Sequence, residues 1–270
     1  MSAATRQSLV GDLRRLGLAA GDVVMVHASL RAVGPVVSGA EAIIAALRDA
    51  IGPDGTLLVY CDWEQDIWDL DEPDDLSLTT LTARPEARET AIAFNAASAR
   101  ASRDYGALPE LIRTLPGAIA SANPGARCAA IGPRAGELTA GHALDYGYGE
   151  ASPFARLVAA GGKVLMLGAP RDTMTLLHHA EHLATVPDKR RVRVEYPFAA
   201  DDGRIAWRWA EEFNTGVPVI AGLADDYFAE VVTDFLATGE GRTGKVGNAD
   251  CVLVPADGIV RFAVDWLESR

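Results

Sequence analysis

The stretch Ser152-Pro-Phe-Ala-Arg-Leu-Val-Ala-Ala-Gly-Gly-Lys-Val-Leu-Met-Leu167 contains a complete helix-to-strand unit. Ser152 and Pro153 are typical of an N-cap and a first helical residue, and Gly161-Gly162 indicates where the helix ends. The residues that follow, Lys163–Leu167, are apolar on both faces, as in a strand that helices cover on both sides. This stretch therefore predicts a helix packed on a central sheet.

The N-terminal part of the chain repeats this pattern. A strand is predicted at residues 22–27, and a helix follows Ser38, which is expected to cap it. Pro53-Asp54-Gly55 then forms a turn into the apolar strand Thr56–Tyr60. The C-terminal third alternates like antiparallel strands over residues 193–196, 205–209 and 251–255. The sequence thus predicts an α/β fold with a central mixed β-sheet flanked by helices.

Residues 62–116 differ in character from these repeats. The segment begins with acidic residues around Trp63 and Trp68 and has no strand alternation, so we expect an inserted acidic and helical side lobe. Aromatic faces beside clustered carboxylates suit a bulky polycation. With 270 residues, 49% of them hydrophobic, the chain can bury one substantial core. Residues 1–270 are therefore expected to form a single domain that carries this lobe.

The charge and the cysteines exclude several classes of function. A net charge of −12 opposes binding to nucleic acid or to an anionic membrane and suits a cationic ligand. The sequence has no apolar run of about 18 residues and no signal-peptide core, so a cytoplasmic location is expected. Cys61, Cys128 and Cys251 are widely spaced without a C-x-x-C pair, which predicts buried thiols rather than disulfides or a thiolate metal site.

A candidate catalytic pair lies in Thr175-Leu-Leu-His-His-Ala-Glu-His182, just after a predicted strand. At helical spacing, an apolar arc and an opposite polar face containing His178 and Glu181 are predicted. The apolar arc consists of Leu176, Leu177, Ala180, Leu183 and Ala184. An imidazole beside a carboxylate that orients it is what general-base catalysis requires. With His182, the same residues also match His-x-x-Glu-His, a zinc-peptidase pattern, so a zinc-dependent hydrolase is an alternative.

Several short motifs occur in order along nearly the whole chain: His27-Ala-Ser-Leu-Arg-Ala-Val-Gly-Pro35, Ser121-Ala-Asn-Pro124, His142-Ala-Leu-Asp-Tyr-Gly-Tyr-Gly149 with Ser152-Pro153, Leu165-Met-Leu-Gly-Ala-Pro170, Thr175 to Glu181, and Gly244-Lys-Val-Gly247. Together they resemble the aminoglycoside 3-N-acetyltransferases, most closely the class III branch. The resemblance implies acetyl-CoA-dependent acetylation of the 3-amino group of the 2-deoxystreptamine ring, giving antibiotic resistance. It also implies a fold distinct from the acetyltransferase superfamily with an R-x-x-G-x-G/A loop, which this sequence lacks.

The resemblance also implies roles for individual residues, with no metal among the ligands. His178 matches the catalytic histidine of the family, and Glu181 matches its acid. The residues implied to bind CoA are Ser29, Leu30, Arg31, Val33, Gly34 and Ser121. Those implied to bind the antibiotic are Trp63, Glu64, Glu211, Glu212 and Asn214. Asn95-Ala96 replaces Asp-Pro of relatives, and Asn214 replaces an Asp, whose lost carboxylate is expected to narrow or weaken antibiotic binding.

The implied mechanism is direct transfer in a ternary complex, with His178 taking the proton from the attacking amine. The carboxylate that partners His178 is left open between Glu181, Glu211 and Glu212. The oxyanion donor is left open between backbone N–H groups of residues 27–34 and the Thr175 hydroxyl. The expected partners are an aminoglycoside and CoA, with a monomer or homodimer as the assembly. Besides the zinc hydrolase, a non-catalytic polycation-binding or CoA-binding module is an alternative.

Overall fold

The computed structural model describes residues 3–63, 65–71 and 78–270. Within these residues the strands are β1 (Val23–Ala28), β2 (Thr56–Tyr60), β3 (Trp68–Asp71), β4 (Leu78–Ala83), β5 (Ile119–Ala120), β6 (Cys128–Ile131), β7 (Lys163–Leu167), β8 (Arg191–Ala199), β9 (Ile205–Phe213), β10 (Arg242–Val246) and β11 (Ala249–Pro255). The helices of the same residues are α1 (Arg6–Leu16), α2 (Gly39–Ile51), α3 (Pro85–Thr90), α4 (Leu108–Arg113), α5 (Ala135–Thr139), α6 (Pro153–Ala159), α7 (Leu177–Leu183), α8 (Tyr227–Ala237) and α9 (Ala256–Glu268). In this described part of the chain, no helix combines the length and apolar character that crossing a bilayer requires.

The central sheet contains strands from both ends of the chain. Over the described residues its order is β10-β11-β7-β1-β2-β6-β5. Strands β7, β1 and β2 run parallel, and the other pairings of this sheet are antiparallel. The predicted α/β fold with a mixed central sheet is therefore confirmed.

The side chains of β1 alternate between two hydrophobic cores, one on each face of the central sheet. Val23 and Met25 point into the core that α5 to α9 cover, and Val24 and Val26 point into the core under α1, α2 and α4. A strand buried on both faces needs apolar side chains at every position. This explains why the central strands read as continuous apolar runs.

A second, smaller sheet has the order β3-β4-β8-β9 within the described residues. Strands β4 and β8 are parallel, and the other two pairings are antiparallel. The first two strands come from residues 62–116, which also contain α3 and α4, so this segment contains strands as well as the predicted helices. The threonine-rich strand β4 is only partly buried along most of its length, which explains why its sequence does not alternate.

The three cysteines lie in the interior as free thiols. Cys61, Cys128 and Cys251 are all buried, as predicted from their spacing. Burial raises the pKa of the Cys61 thiol to about 12. Since the thiolate is the reactive form, this cysteine is held unreactive near neutral pH.

Two serines that precede helices differ in their roles. Ser152 is fully buried, and its Oγ accepts a hydrogen bond of 3.2 Å from the Ala155 N–H, as predicted for the N-cap of α6. Its hydroxyl also donates to the Gly149 carbonyl. Ser38 precedes α2 but has a φ of 66° and makes no side-chain cap bond, so the prediction that it caps α2 is wrong. An N-cap serine needs an extended backbone to turn its oxygen toward the helix, and Ser38 is left-handed.

Replacing Ser152 by alanine should lower the free energy of unfolding by about 1–2 kcal/mol, because the cap and a buried hydrogen bond are lost together. Urea denaturation with an unchanged m-value measures the effect. Ser38→Ala is the matched control and should cost less than about 0.5 kcal/mol, because no cap bond is removed. A Ser152→Ala cost no larger than that of the control would contradict this assignment.

Candidate active site

Helix α7 places His178 and Glu181 one turn apart on one side. The Nδ1 atom of His178 lies 2.5 Å from Oε2 of Glu181. The other carboxylate oxygen, Oε1, accepts a hydrogen bond from the hydroxyl of Tyr227 at the start of α8. A carboxylate that accepts from Nδ1 leaves Nε2 of the neutral imidazole with its lone pair. His178 is therefore held in the tautomer that can take a proton at Nε2.

Glu181 is buried, although the sequence pattern placed it on a polar face of α7. It is only 2% exposed, whereas Leu183, expected in the apolar arc, is 40% exposed. The reason is that Tyr227 of α8 covers the side of α7 that carries Glu181. Of the three carboxylates that were candidates for orienting His178, the geometry favours Glu181.

The imidazole of His178 keeps an opening toward its surroundings. Its side chain is 18% exposed, and it packs against two aromatic rings. The ring centroids of Tyr148 and Phe228 lie 5.0 and 4.8 Å from that of His178. The ring is thus held between aromatic faces without being enclosed.

A cleft of about 570 Å³ is lined in part by Tyr148, whose ring contacts that of His178. Tyr60 at the end of β2 and Tyr148 contribute to its lining from the central sheet side, and β8 and β9 contribute from the second sheet. His178 itself does not line the cleft. Because Tyr148 contacts the His178 ring and lines the cleft, the candidate base lies one side chain away from this space.

Two carboxyl groups in the lining of the cleft titrate near neutrality. Glu212 accepts hydrogen bonds from the N–H groups of Phe213, at 2.8 Å, and Tyr148, at 3.1 Å, but burial raises its pKa to about 7. Asp62 accepts a bond of 2.7 Å from the Trp63 N–H, and burial raises its pKa to about 7 as well. Bringing a cation beside either group favours its ionised form. The cleft can therefore increase its negative charge when a cationic ligand enters.

Glu211 and Glu212 are adjacent in β9, so their side chains point to opposite faces of the second sheet. Only Glu212 of the two lines the cleft. Glu211 instead accepts hydrogen bonds from Tyr146 at 2.5 Å and from Arg191 at 3.0 Å. The geometry thus favours Glu212 over Glu211 as a substrate ligand.

Trp63 and Asn214, both implied to bind the antibiotic, line the same cleft. Trp63 is buried with its ring centroid 5.2 Å from that of Phe94. The side chain of Asn214 donates to Oγ1 of Thr79 at 3.3 Å and accepts from the Gly216 N–H at 3.0 Å. Glu64, the remaining member of this predicted set, lies outside the described residues.

The loop implied to bind CoA, residues 29–34, follows β1 directly. It begins where the Ser29 N–H donates to the Leu167 carbonyl of β7 at 3.0 Å. Its side chains at Leu30 and Arg31 are partly or fully exposed and can meet a ligand. The loop therefore starts at the carboxyl ends of two parallel strands, where α/β proteins bind ligands.

The end of this loop is packed against the turn between β10 and β11. The Val33 side chain is 1% exposed, and its carbonyl accepts a hydrogen bond of 3.0 Å from the Asn248 N–H. Gly34 has a φ of +83°, and a Cβ there would lie 2.3 Å from Nδ2 of Asn248. Val33 and Gly34 therefore shape the loop, and the Val33 side chain is not available to a ligand.

Ser121, also implied to bind CoA, lies in the interior at 1% exposure. Its Oγ accepts from the Cys128 N–H at 2.9 Å and lies 2.8 Å from Nδ1 of His142. Because Nε2 of His142 donates to the Gly147 carbonyl at 2.7 Å, Nδ1 accepts from the Ser121 hydroxyl. In this structure the hydrogen bonds of Ser121 join three segments of the chain, and its implied role in binding CoA stays a prediction.

The two histidines of the zinc-peptidase pattern contact different neighbours. The His182 ring centroid lies 5.8 Å from that of Tyr146 and 5.6 Å from that of Phe213, whereas His178 contacts Tyr148 and Phe228. Across residues 3–63, 65–71 and 78–270, no 3 His, Cys, Asp or Glu side chains are grouped as a metal site requires. The arrangement of donors therefore does not favour the zinc hydrolase.

The sequence patterns missed several side chains of the site. Tyr148 lies in a motif that resembles the family, but the motif does not predict its contact with His178, because the two residues lie in different segments of the chain. Tyr227 has no local pattern at all, because its role depends on α8 packing beside α7. Asp62 belongs to an acidic run and is distinguished by its backbone, which has a φ of 49°. Only tertiary structure separates these residues from their neighbours in sequence.

Replacing Glu212 by glutamine should reduce the dependence of stability on pH. Folded Glu212 keeps its proton up to about pH 7, while the unfolded chain loses it near 4.5. Between these values the folded state binds more protons, so the free energy of unfolding falls as pH rises. Urea denaturation at about pH 5, 6 and 7 should show a shallower fall in the variant than in the wild type.

The neighbouring Glu211→Gln is the matched control for this experiment. Its hydrogen bond with Tyr146 and the nearby Arg191 lower the pKa of Glu211, so it is ionised in both states throughout this range. The control should keep the slope of the wild type between about pH 5 and 7. Equal slopes in the wild type and in Glu212→Gln would contradict the raised pKa of Glu212.

Comparison with known proteins agrees with this geometry. Residues 25–268 match the family described as aminoglycoside 3-N-acetyltransferase. Aminoglycoside N(3)-acetyltransferase III of Pseudomonas aeruginosa is 48% identical, over 98% of this chain and 94% of the relative.

Two solved structures extend this comparison. AAC-IIIb in a binary complex with CoASH has a TM-score of 0.92 and 56% identity, covering 100% of this chain and 98% of that one. AAC-VIa bound to sisomicin has a TM-score of 0.88 and 36% identity, covering 100% and 99%. The resemblance predicted from the sequence motifs is confirmed. The chain therefore belongs to the aminoglycoside 3-N-acetyltransferase family and is an acetyltransferase.

Proposed function

We propose that the protein transfers an acetyl group from acetyl-CoA directly to the 3-amino group of the 2-deoxystreptamine ring, with His178 as the general base. The observation that carries the proposal is the pairing of His178 Nδ1 with Glu181 beside an anionic cleft. The names of its relatives support the reaction, since they include an N(3)-acetyltransferase and complexes with CoASH and sisomicin.

The reaction begins with a proton transfer. An alkyl ammonium has a pKa near about 10, so the amine must lose a proton to become a nucleophile. Nε2 of His178 takes this proton as the amine nitrogen attacks the thioester carbonyl. Glu181 stabilises the resulting imidazolium at Nδ1, and Tyr227 keeps Glu181 oriented. The C–S bond then breaks, the sulfur takes the proton from Nε2 of the imidazolium, and the nitrogen releases its second proton to solvent, which gives CoA and the neutral acetamide.

The cleft selects the substrate by charge. Glu212 and Asp62 would hold ammonium groups of the aminoglycoside that do not react, and Trp63 would supply an apolar wall. Both carboxyl groups are near their pKa at neutral pH, so each would ionise as its ammonium partner arrives. The antibiotic would thereby be oriented with its 3-amino group toward His178.

The setting of this reaction follows from its substrates. We infer that the enzyme acts in the cytoplasm, where acetyl-CoA is available, and that it confers resistance by removing a positive charge from the antibiotic. A net charge of −12 is suited to a polycationic substrate and unsuited to nucleic acid or an anionic membrane. A monomer or a homodimer would serve this chemistry equally.

His178→Ala should lower kcat by about 10²-fold or more, because the base that deprotonates the amine is removed. The measurement is thiol release from acetyl-CoA with a panel of aminoglycosides. His182→Asn is the matched control and should keep turnover within a few-fold, since the proposal gives His182 no chemical role. Comparable loss in both variants would favour the zinc hydrolase, and absence of turnover in the wild type would favour a non-catalytic module.

Asn214→Asp should lower KM for aminoglycosides by about 5- to 30-fold, because a carboxylate binds an ammonium group more strongly than an amide does. The Thr79 hydroxyl can turn to donate to the new carboxylate, so the local packing is kept. Asn95→Asp is the control, since Asn95 is the other departure from relatives and caps a turn at Ala97 outside the cleft. Steady-state kinetics across the panel provide the measurement, and equal KM values in both variants would contradict the prediction.

A further inference from the structure

His27 occupies a position between the loop at residues 29–34 and the catalytic pair. It lies near the end of β1, where it pairs with Met166 of β7 in the parallel register. By strand alternation its side chain points to the same face as Met25, which is the face that α7 covers. His178 is close enough to lower the pKa of His27 by charge repulsion.

One ring nitrogen of His27 lacks a hydrogen bond. Nε2 is buried and has no partner among the residues that the structure describes. Leaving such a group unsatisfied costs about 1–3 kcal/mol, so a buried polar atom without a partner needs an explanation. A hydrogen-bonding group of a ligand that binds during the reaction would supply the missing partner of Nε2.

The imidazole of His178 and the tyrosine on the strand next to β1 already have other partners. Nδ1 of His178 is bound to Glu181. The hydroxyl of Tyr60, on the strand next to β1, lies 2.7 Å from that of Tyr148 and donates to the Gly125 carbonyl at 3.0 Å. Met25 and Met166, the neighbours of His27 on this face, provide no strong hydrogen-bonding group.

The charge state of His27 determines what it can do. Burial, with the proximity of His178, lowers its pKa to about 4, so the imidazole is neutral near pH 7 and carries one N–H. A neutral donor does not repel the imidazolium that forms on His178 during proton transfer. It can still donate to an oxygen on which negative charge develops.

We propose that His27 is a further catalytic residue, which donates its Nε2–H to the thioester carbonyl oxygen as the tetrahedral intermediate forms. This inference rests on the proposed function and assigns the oxyanion donor, for which the sequence left a choice between backbone N–H groups and Thr175. No bond to His27 forms or breaks. The hydrogen bond strengthens as the carbonyl oxygen gains charge and weakens again when the C–S bond breaks.

The test compares two amide variants that keep a polar side chain. The side-chain nitrogen of His27→Gln can reach the place of Nε2, whereas that of His27→Asn reaches the place of Nδ1. Removing an oxyanion donor typically costs about 10²–10³-fold in kcat. We expect kcat of His27→Asn to fall on this scale. The kcat of His27→Gln should be at least about 10-fold higher than that of His27→Asn. The KM for acetyl-CoA should be nearly unchanged in both variants.

Three results would overturn the proposal while leaving the proposed function intact. The first is a kcat near the wild-type value in folded His27→Asn. The second is an equal loss of kcat in His27→Asn and His27→Gln. The third is a rise in KM for acetyl-CoA in these variants with kcat unchanged. Thermal denaturation establishes that both variants are folded. Failure of the proposed function would look different, because the wild type would then release no thiol or His178→Ala would be fully active.

A measurement on the wild-type protein makes the test independent of whether the His27 variants fold. The probe is an acetyl-CoA analogue in which a methylene group replaces the thioester sulfur, so that the carbonyl remains but no transfer occurs. In protein labelled with ¹⁵N-histidine, the analogue should move the Nε2–H resonance of His27 downfield. An unmoved His27 resonance at saturating analogue would overturn the proposal.

Discussion

The buried carboxylate of Glu181 is the interaction on which the rest of the site depends. It is almost inaccessible to solvent, yet it accepts hydrogen bonds from His178 and Tyr227, which lie on different helices. A buried charge of this kind is tolerated only when it is well paired. Helices α7 and α8 must therefore pack in one register, and that register sets the tautomer and orientation of the imidazole.

The cleft follows a different electrostatic principle. Glu212 and Asp62 are partly buried, and burial raises the pKa of each to about 7, so their carboxyl groups are ionised only in part at neutral pH. Permanently charged carboxylates in this setting would pay the full cost of desolvation and destabilise the fold. Groups that ionise when a cation arrives avoid this cost in the empty enzyme and still bind a polycation strongly.

The central fold and the proximity of His178 to Glu181 were predictable from the sequence because both depend on local periodicity. Continuous apolar strands, the cap at Ser152 and the spacing of His178 and Glu181 along one helix all follow from neighbours in the chain. The errors arose where tertiary structure decides. Ser38 has the composition of a cap but a left-handed backbone, and Glu181 was placed on a polar face of its helix but is buried. Strands β3 and β4 were missed because they are short or only partly buried.

The parallel pairing of β4 with β8 has a consequence for how the enzyme is made. Leu78 in β4 is paired with Arg191 in β8, so the wall of the cleft joins two regions of the chain between which β5, β6 and β7 of the central sheet lie. Contacts between such distant segments form slowly and late in folding. During synthesis on the ribosome, helix α7 emerges before β8 and β9. The nascent chain therefore contains His178 and Glu181 before the second sheet, which lines the cleft, can be completed.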